Sequence, residues 1–308
     1  MKKTIFIISL SAIMLLFLLF PQTTFLGAKS GLTLWLFTVL PTLLPFMVVT
    51  NILVSINGDQ YLSNMIAPVT KRILHISTSA NYALIIGLLC GYPMGAKAIT
   101  DLITNGKISK QEGQYLLCFC NNASPMFIIS FICYSSLENI KYLIYIIVPI
   151  YMSSLVCCFL FKLLTKNASS ITRKNEIIPN SELSFKIIDQ AILGSFENLT
   201  KFGGYIIIYS IFASFVLHNI PITENLKLIS LGMLEITTGI SYITKSSLAI
   251  NTMLPLICFF TAFGGLSITS QTASIIGKSG LSLSKYIFAK LINGILAFII
   301  SIIMLTLI

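Results

Sequence analysis

The stretch that decides the fold covers residues 81–125 and reads NYALIIGLLCGYPMGAKAITDLITNGKISKQEGQYLLCFCNNASP. An apolar segment ends at Cys90, where Gly91-Tyr92-Pro93-Met94-Gly95 interrupts it, and a second apolar segment follows at 96–103. Apolar runs of about 10–14 residues are too short to cross a bilayer and are typical of re-entrant segments. Because non-helical backbone at membrane depth needs protein or a wet cavity around it, this stretch predicts a helical hairpin whose tip lies at a polar site.

A second segment of the same design lies at 254–280. Its apolar residues are interrupted at Gly264-Gly265, and the same number of residues separates Gly91 from Gly265 as separates Gly106 from Gly280. Each segment continues into a polar turn and then into a long apolar helix. Two interrupted apolar segments at matching positions of two halves are a sequence sign of a transporter's binding site, so we predict such a site here.

The composition is that of a polytopic membrane protein. Of the 308 residues, 56% are hydrophobic and 10% are charged, with a mean hydropathy of +0.91, whereas soluble chains contain about 25% charged residues. The net charge of +10 comes from basic residues that fall mostly in loops and at helix ends, as orientation signals do. Since there is no nucleic-acid-binding motif, we expect the lipid bilayer and no nucleic acid as a partner. The seven cysteines fall in apolar segments and are expected to be buried, without a metal or another cofactor.

These patterns predict an all-α polytopic membrane protein with two inverted repeats, each containing a re-entrant helical hairpin and broken helices. An alternative, in which 226–243 is a full span, would place Lys245, Lys278 and Lys285 on the cytoplasmic side but would spoil the repeat. The predicted units are an N-terminal transmembrane anchor helix at 1–30, a first repeat at 31–165, a basic cytoplasmic linker at 166–200 and a second repeat at 201–308. Within them we expect interfacial helices at 61–75 and 226–243, re-entrant hairpins at 79–103 and 249–276, a broken helix at 114–134, and spans at 141–165 and 285–308.

Lys97 is the first candidate for a substrate contact, because it lies just past the tip of the first hairpin. A charged side chain at the centre of a membrane helix costs about 2.5–3.5 kcal/mol on insertion scales, so its presence favours a function. An ion pair with Asp101, four residues on, is the structural alternative. The half-helices that begin after Gly95 and Gly265 are expected to present unpaired N–H groups, which suit an anion. Together these features predict a small anionic substrate such as a carboxylate.

The remaining candidates are polar and small residues at the interruptions. Asn121, Asn122 and Ser124 precede Pro125, and both a helix-capping role and a substrate contact remain open for them. Glu235, with Thr237 and Thr238, is a candidate site for a coupling cation or proton, and an ion pair or an exposed interfacial position are the alternatives. The other predicted substrate-binding residues are Gly91, Tyr92, Pro93, Gly95, Gly264, Gly265, Ser267, Thr269, Ser270 and Gln271.

No catalytic constellation stands out in the sequence. The GxSxG, HExxH and Walker motifs are absent, and neither His75 nor His218 lies near a plausible nucleophile. We therefore expect that the protein is not an enzyme. An intramembrane enzyme and a non-transporting assembly or signalling protein remain as alternatives, and assembly into a homo-oligomer is left open.

Four segments resemble one protein family. Gly91–Lys97, Phe119–Asn122, Leu234–Thr237 and Gly264–Ser267 resemble segments of the sporulation integral membrane protein YlbJ (SpoVV) family of endospore-forming bacteria. The resemblance covers most of the chain from Leu34 onward. It implies a nucleoside-recognition gate domain, shared with concentrative nucleoside transporters, and the transport of dipicolinic acid from the mother cell across the outer forespore membrane. Only one span follows the second predicted hairpin, one fewer than in those transporters, so their sodium site and trimer contacts are not carried over.

Overall fold

A computed structural model describes residues 2–56, 58–164 and 184–307, and within these residues all regular structure is helical, without a strand. A π-helical turn at Trp35–Val39 joins α2 to α3, a π-helix at Phe127–Ser136 follows α7, and a 3-10 turn at Ile140–Tyr142 precedes α8. The α-helices are α1 (Lys2–Leu19), α2 (Pro21–Leu34), α3 (Leu40–Ser55), α4 (Gly58–Ile73), α5 (Ala80–Leu89), α6 (Met94–Thr104), α7 (Lys110–Leu117), α8 (Leu143–Leu164), α9 (Phe185–His218), α10 (Glu224–Leu234), α11 (Ile236–Thr244), α12 (Ile250–Phe263), α13 (Gly265–Ile276) and α14 (Leu283–Thr306).

Five helical segments of the described residues are long and apolar enough to cross a membrane. The prediction of an all-α polytopic membrane protein is therefore confirmed. The first of these segments is continuous from Pro21, so the predicted boundary between an anchor at 1–30 and a repeat from residue 31 falls inside a helix. The five segments are Pro21–Ser55, Ile140–Lys162, Phe185–His218, Ile250–Ile276 and Leu283–Thr306.

The structure also lacks the predicted boundary at residue 200, because α9 runs without a break from Phe185 to His218. Gly203, inside α9, lies against the indole ring of Trp35, where a Cβ would be 2.8 Å from the ring. Trp35 Nε1 also donates a hydrogen bond to the Leu199 carbonyl oxygen at 2.8 Å, so α9 is held along the α2–α3 helix. Residues 166–183 of the predicted linker, and residue 165 of the predicted span at 141–165, lie outside the described residues.

The first interrupted segment folds back on itself. Helices α5 and α6 pack against each other as the first helix pair, and Gly91 opens the turn between them with a φ of +76°, which favours glycine. The bounds of this pair agree closely with the predicted hairpin at 79–103. Helix α7 and the π-helix that follows it do not pack along each other. They form the first broken helix, which is interrupted at 118–124.

In the second half, the segment that folds back is α10–α11 and not the predicted 249–276. Helices α10 and α11 pack against each other as the second helix pair, whereas α12 and α13 do not and form the second broken helix, interrupted at Gly264-Gly265. The turn of the second pair is Glu235, whose backbone is extended at φ −145° and ψ 116°. Gly239 lets the two arms approach, since a Cβ there would lie 2.4 Å from the Gly232 Cα. The predictions of an interfacial helix at 226–243 and of a second hairpin at 249–276 are therefore corrected.

The two halves have the same order of elements. In 80–164 and in 224–306, a helix pair is followed by a polar turn, a broken helix, a second turn and a long apolar helix. The two broken helices are interrupted at 118–124, which contains Asn-Asn-Ala-Ser (121–124), and at Gly264-Gly265, which Leu-Ser follows. The glycines that the sequence spacing matches therefore belong to different kinds of element, since Gly91 is in a helix pair and Gly265 is in a broken helix.

The turns at the helix ends gather at two faces of the helical bundle. At one of them, which we call the α4 face, the contacts include Gln114 Oε1 accepting from Ser282 N at 2.7 Å and Lys162 Nζ lying 2.8 Å from His75 Nδ1. At the other, the opposite face, residues 135–138 line a shared cavity with Ser241, Thr244 and Lys245. Helix α8 therefore begins near the opposite face and ends at the α4 face.

Two hydrophobic cores fill the space between these elements. One joins α3, the first helix pair and α7 to α8 and α14, and the other joins the π-helix at 127–136 to α8, α11, α12 and α14. All seven cysteines are buried in these cores and none forms a disulfide, as the sequence predicts.

Candidate functional site

All four interruptions meet at one small cavity, which we call the central cavity. Its volume is about 50 Å³, which is room for a few water molecules, since one water needs about 10–15 Å³ on this measure. Parts of α2, α3 and α9 cover it. The interruptions contribute Cys90, Tyr92 and Pro93 from the first helix pair, Ser124 and Phe127 from the first broken helix, Glu235, Ile236 and Thr237 from the second helix pair, and Ile268 and Gln271 from the second broken helix.

Six of the predicted site residues therefore lie together. They are Tyr92, Pro93, Ser124, Glu235, Thr237 and Gln271. Gly91, Gly264 and Gly265 form the neighbouring turns, and all three have a positive φ. Ser124 also caps the helix that follows it, because its Oγ accepts a hydrogen bond from Phe127 N at 3.2 Å.

Three predicted residues on α13 bond away from the central cavity or within their own helix. Ser270 faces α9, where its hydroxyl lies 2.6 Å from the hydroxyl of Tyr209. Thr269 Oγ1 donates to the Gly265 carbonyl oxygen at 2.8 Å. Ser267 Oγ accepts from Gln271 Nε2 at 3.2 Å, which positions the Gln271 amide at the cavity wall.

Tyr92 lines the central cavity and carries an unsatisfied polar group. Its side chain is buried, and its hydroxyl has no hydrogen-bond partner among the residues that the structure describes. Its backbone N–H is fixed by the Asn122 carbonyl oxygen at 2.6 Å. Because a buried hydroxyl without a partner is rare and costly, this group is suited to bind a ligand or an ordered water in the cavity.

Glu235 is the charged residue that lines the central cavity, and it is only 2% exposed. Its carboxylate accepts hydrogen bonds from the N–H groups of Thr237 and Thr238, at 3.2 and 2.8 Å. Both threonine hydroxyls donate to Glu235 Oε2 as well. Glu235 therefore caps α11. Its burial excludes the alternative of an exposed interfacial glutamate, and among the described residues it forms no ion pair with a lysine.

Asn121 joins the first broken helix to three other elements, and it is fully buried. Its Oδ1 accepts from Ala96 N at 3.3 Å, and its Nδ2 donates to Tyr286 OH at 2.9 Å and to Thr272 Oγ1 at 3.2 Å. The N–H groups of Met94 and Gly95 bond to the Gly91 carbonyl oxygen. The start of α6 is thus occupied, and the prediction that it presents unpaired N–H groups is wrong.

Asn122 binds a lysine that the sequence analysis missed. Its Oδ1 accepts from Lys290 Nζ at 3.0 Å and from Asn293 Nδ2 at 3.1 Å. Lys290 Nζ also donates to the Asn121 carbonyl oxygen at 3.0 Å. On the other side, Asn122 Nδ2 donates to Ser154 Oγ at 2.7 Å. The first interruption is therefore held by side chains of α8 and α14.

Lys290 is 1% exposed and has no carboxylate within ion-pair distance among the described residues. A buried ammonium without a counterion is costly in a membrane protein and is a default candidate for function. The available sequence signal was a lysine three residues before Asn293-Gly294 in an otherwise apolar span. Its partners could not be read from the sequence, because they lie in the other half of the chain.

Lys97 lies outside the central cavity, in a larger cavity that we call the vestibule. Lys97 Nζ forms the predicted ion pair with Asp101 Oδ2 at 2.7 Å. The vestibule has a volume of about 310 Å³ and lies between α3, the first helix pair and the start of α9. Its polar lining consists of Thr50, Asn51, Ser55, Lys97, Asp101, Gln190 and Asn198.

The start of α13 differs from the start of α6. Gly264 precedes it with a φ of +89°, and no side chain caps it. Ile268, in the first turn of α13, lines the central cavity. Since the N-terminus of a helix carries partial positive charge and free N–H groups, this end of α13 is the better suited of the two to an anion.

Comparison with known proteins gives one informative similarity. No protein-family model matches the chain, and no solved structure matches it. The chain is similar to the sporulation integral membrane protein YlbJ of Bacillus subtilis (strain 168), with 23% identity over an alignment of 312 residues that covers 90% of this chain and 76% of the relative. The five apolar helices agree with an integral membrane protein. This similarity supports the membership of the chain in the YlbJ family, which its motifs predict.

Proposed function

We propose that the protein is a transporter that moves a small anionic metabolite, dipicolinate, from the mother cell across the outer forespore membrane by alternating access. The observation that carries this proposal is the convergence of four helix interruptions on one cavity between two units of the same element order. Discontinuous helices that meet between two repeats form the substrate sites of many transporters. The similarity to a sporulation integral membrane protein supports the setting.

The proposed mechanism requires two units of opposite orientation. The arms of the two helix pairs have 10, 11, 11 and 9 residues, too few to cross a bilayer of about 30 Å, so we treat both pairs as re-entrant. The first broken helix, α8 and α9 then cross between the two pairs. Because three is an odd number of crossings, the second unit has the inverted orientation in the membrane relative to the first.

The basic residues support an orientation for these units. Lys107 and Lys110 precede α7, and Lys278 and Lys285 flank the start of α14, beside the Gln114–Ser282 contact of the α4 face. Because cytoplasmic loops carry an excess of lysine and arginine, we assign the α4 face to the cytoplasm of the mother cell. In this orientation Lys278 and Lys285, two of the three lysines in the charge conflict of the predicted repeat, lie on the cytoplasmic face, and Lys245 remains on the opposite face.

The central cavity is closed around too little space for an aromatic dianion, since ligand pockets have volumes of about 300–1,000 Å³ and this one has about 50 Å³. We therefore take the structure as an occluded state that must open to admit substrate. The uncapped start of α13 would then receive a carboxylate, and Glu235 would be the group available to a coupling proton or cation.

A nucleoside or another neutral metabolite is the second candidate substrate. The observation that favours it is the lining of the central cavity, where Glu235 is charged and no lysine or arginine is present among the described residues. The Tyr92 hydroxyl and the Gln271 amide are neutral groups that could bond a sugar or a base.

Uptake of labelled dipicolinate into proteoliposomes that contain the purified chain tests the proposal. We expect uptake that saturates and that unlabelled dipicolinate inhibits while nucleosides do not. Inhibition by nucleosides would favour the second candidate. Absence of uptake by protein with an intact helical spectrum, under both inward and outward proton and sodium gradients, would favour a non-transporting assembly protein.

A further inference from the structure

The vestibule and the central cavity are separated by one or two turns of the same helices. Helix α3 contributes Leu43 to the central cavity and Thr50 to the vestibule, and α9 contributes Phe202 and Asn198, respectively. Between these positions the two helices carry Met47 and Leu199, both fully buried. The vestibule therefore lies towards the α4 face, with an apolar layer between it and the central cavity.

The size of the vestibule distinguishes it from the central cavity. At about 310 Å³ against about 50 Å³, it reaches the range of about 300–1,000 Å³ that small-molecule sites occupy. Half of its lining residues are polar or charged. It can therefore hold a hydrated polar metabolite without a rearrangement of the backbone, whereas the central cavity cannot.

Lys97 is directed into this space. Every residue of 91–100 is buried except Lys97, whose side chain is 25% exposed and whose partner Asp101 is 52% exposed. An ion pair of this kind, with one half-exposed carboxylate four residues away on the same helix, contributes little to stability. A second carboxylate can therefore replace Asp101 at the Lys97 ammonium at small cost.

We propose that the vestibule is a loading site for a small carboxylate, in which Lys97 exchanges Asp101 for a carboxylate of the substrate before the substrate reaches the central cavity. This inference rests on the proposed transport of an anion. It assigns Lys97 to the first contact on the cytoplasmic face, and it makes Asp101 a built-in competitor of the substrate.

Two substitutions with opposite expected effects test the proposal. In proteoliposomes, Lys97→Gln is expected to raise the dipicolinate concentration for half-maximal uptake about tenfold or more, the usual loss when one charge-assisted hydrogen bond is removed. Asp101→Asn is expected to lower that concentration, because the competing carboxylate is gone while the ammonium remains. Lys97→Arg keeps the charge and should stay closer to the unmodified protein than Lys97→Gln does.

The chain offers a matched control in a second ion pair of the same spacing. Lys201 and Glu197 are also four residues apart, at 2.6 Å, but their side chains are 62% and 70% exposed and do not line the vestibule. Lys201→Gln and Glu197→Gln should leave the half-maximal concentration unchanged. Equal shifts in the control pair and the Lys97 pair would reduce the effect to general surface charge and overturn the proposal.

Protection from labelling gives a readout that does not depend on transport. Because all seven natural cysteines are buried, a membrane-impermeant maleimide should react mainly with the thiol introduced by Asn198→Cys. Dipicolinate should slow this reaction, and inorganic phosphate at equal ionic strength should not. Labelling that dipicolinate leaves unchanged, or half-maximal concentrations that shift in the same direction for Lys97→Gln and Asp101→Asn, would refute the loading site. Absence of dipicolinate uptake by the unmodified protein would instead refute the proposed function.

Discussion

The two halves of the molecule interrupt their helices by opposite means. In the first half, Gly91 makes the turn of the helix pair, while side chains of Asn121 and Asn122 hold the broken helix open. In the second half, the Glu235 side chain makes the turn of the helix pair, while Gly264-Gly265 interrupts the broken helix. The first half therefore uses glycine at the turn of its helix pair and side-chain hydrogen bonds at its broken helix. The second half uses a side-chain cap at the turn of its helix pair and glycine at its broken helix.

This difference between the two halves affects how firmly each broken helix is held. The first break is tied to α6, α8, α13 and α14 by buried hydrogen bonds, which fix its backbone. The second break relies on the conformational freedom of glycine and leaves the start of α13 without a side-chain cap. We infer that the first break is the fixed element of the site and that the second is the one with amides available to a ligand.

The largest expected effect on stability comes from removing the Asn122 side chain, which holds the first broken helix. Asn122→Ala deletes the amide that accepts from Lys290 and donates to Ser154 and to the Phe119 carbonyl oxygen. Lys290 keeps its bond to the Asn121 carbonyl oxygen, and the lost hydrogen bond to a charged group alone should cost about 1.5–3 kcal/mol. We expect a strongly lowered midpoint of thermal unfolding, measured by circular dichroism in detergent. Asn293→Ala is the control, because it removes a neutral bond to the same oxygen and should cost about 1 kcal/mol. Equal losses in the two variants would show that the Lys290 ammonium is not what matters.

A smaller effect is expected from stiffening the glycine break. Gly264 has a φ of +89°, and the nearest atom to an added Cβ would be 3.4 Å away, so Gly264→Ala costs mainly the left-handed strain of about 1–2 kcal/mol. Gly194, in α9, has nothing within 4 Å of an added Cβ. Gly194→Ala should therefore raise the unfolding midpoint slightly, since alanine is the better helix former. A Gly264→Ala protein as stable as the unmodified one would show that this break does not need glycine.

The capped tip of the second helix pair should be less sensitive still. Glu235→Ala removes the cap of α11 and is expected to cost about 1 kcal/mol. In Glu235→Gln the single amide oxygen can take the place of Oε2, which keeps the bonds from Thr238 N and the two threonine hydroxyls and loses the bond from Thr237 N, so this variant should retain most of that stability. If Glu235 also carries a coupling proton, the Gln variant should lose the pH dependence of uptake while remaining folded, whereas a purely structural cap predicts an unchanged pH profile.

The smallest stability effect, and the clearest functional one, is expected at Tyr92. Its hydroxyl has no partner among the described residues, so Tyr92→Phe removes an unsatisfied polar group and should be neutral or slightly stabilising. If the hydroxyl binds substrate in the central cavity, uptake should fall although the unfolding midpoint does not. Tyr209→Phe, which removes a hydroxyl 2.6 Å from that of Ser270, is the control for loss of a structural bond.

The different use of glycine and side chains in the two halves also explains which interruptions the sequence could predict. The first helix pair is readable because Gly91 and Pro93 interrupt an apolar run. The second pair has no glycine or proline at its turn, since Glu235 interrupts the helix by an extended backbone and a side-chain cap. The sequence pattern therefore predicts the second hairpin around Gly264-Gly265 instead. Lys290 was missed for a related reason, because its role depends on bonds across the two halves. Patterns of glycine reveal interruptions made by backbone freedom and overlook those made by side chains.

The contact between Trp35 and α9 has a practical consequence. Trp35 is the only tryptophan in the chain, its indole N–H donates to the Leu199 carbonyl oxygen, and its ring packs on Gly203, next to Phe202 of the central cavity lining. An opening of the cavity that separates α9 from the α2–α3 helix would break this bond, and an opening that also admits water would hydrate the ring. The protein therefore contains its own fluorophore at the contact between α9 and the α2–α3 helix. A red shift of its emission on adding substrate would report the opening in unlabelled protein.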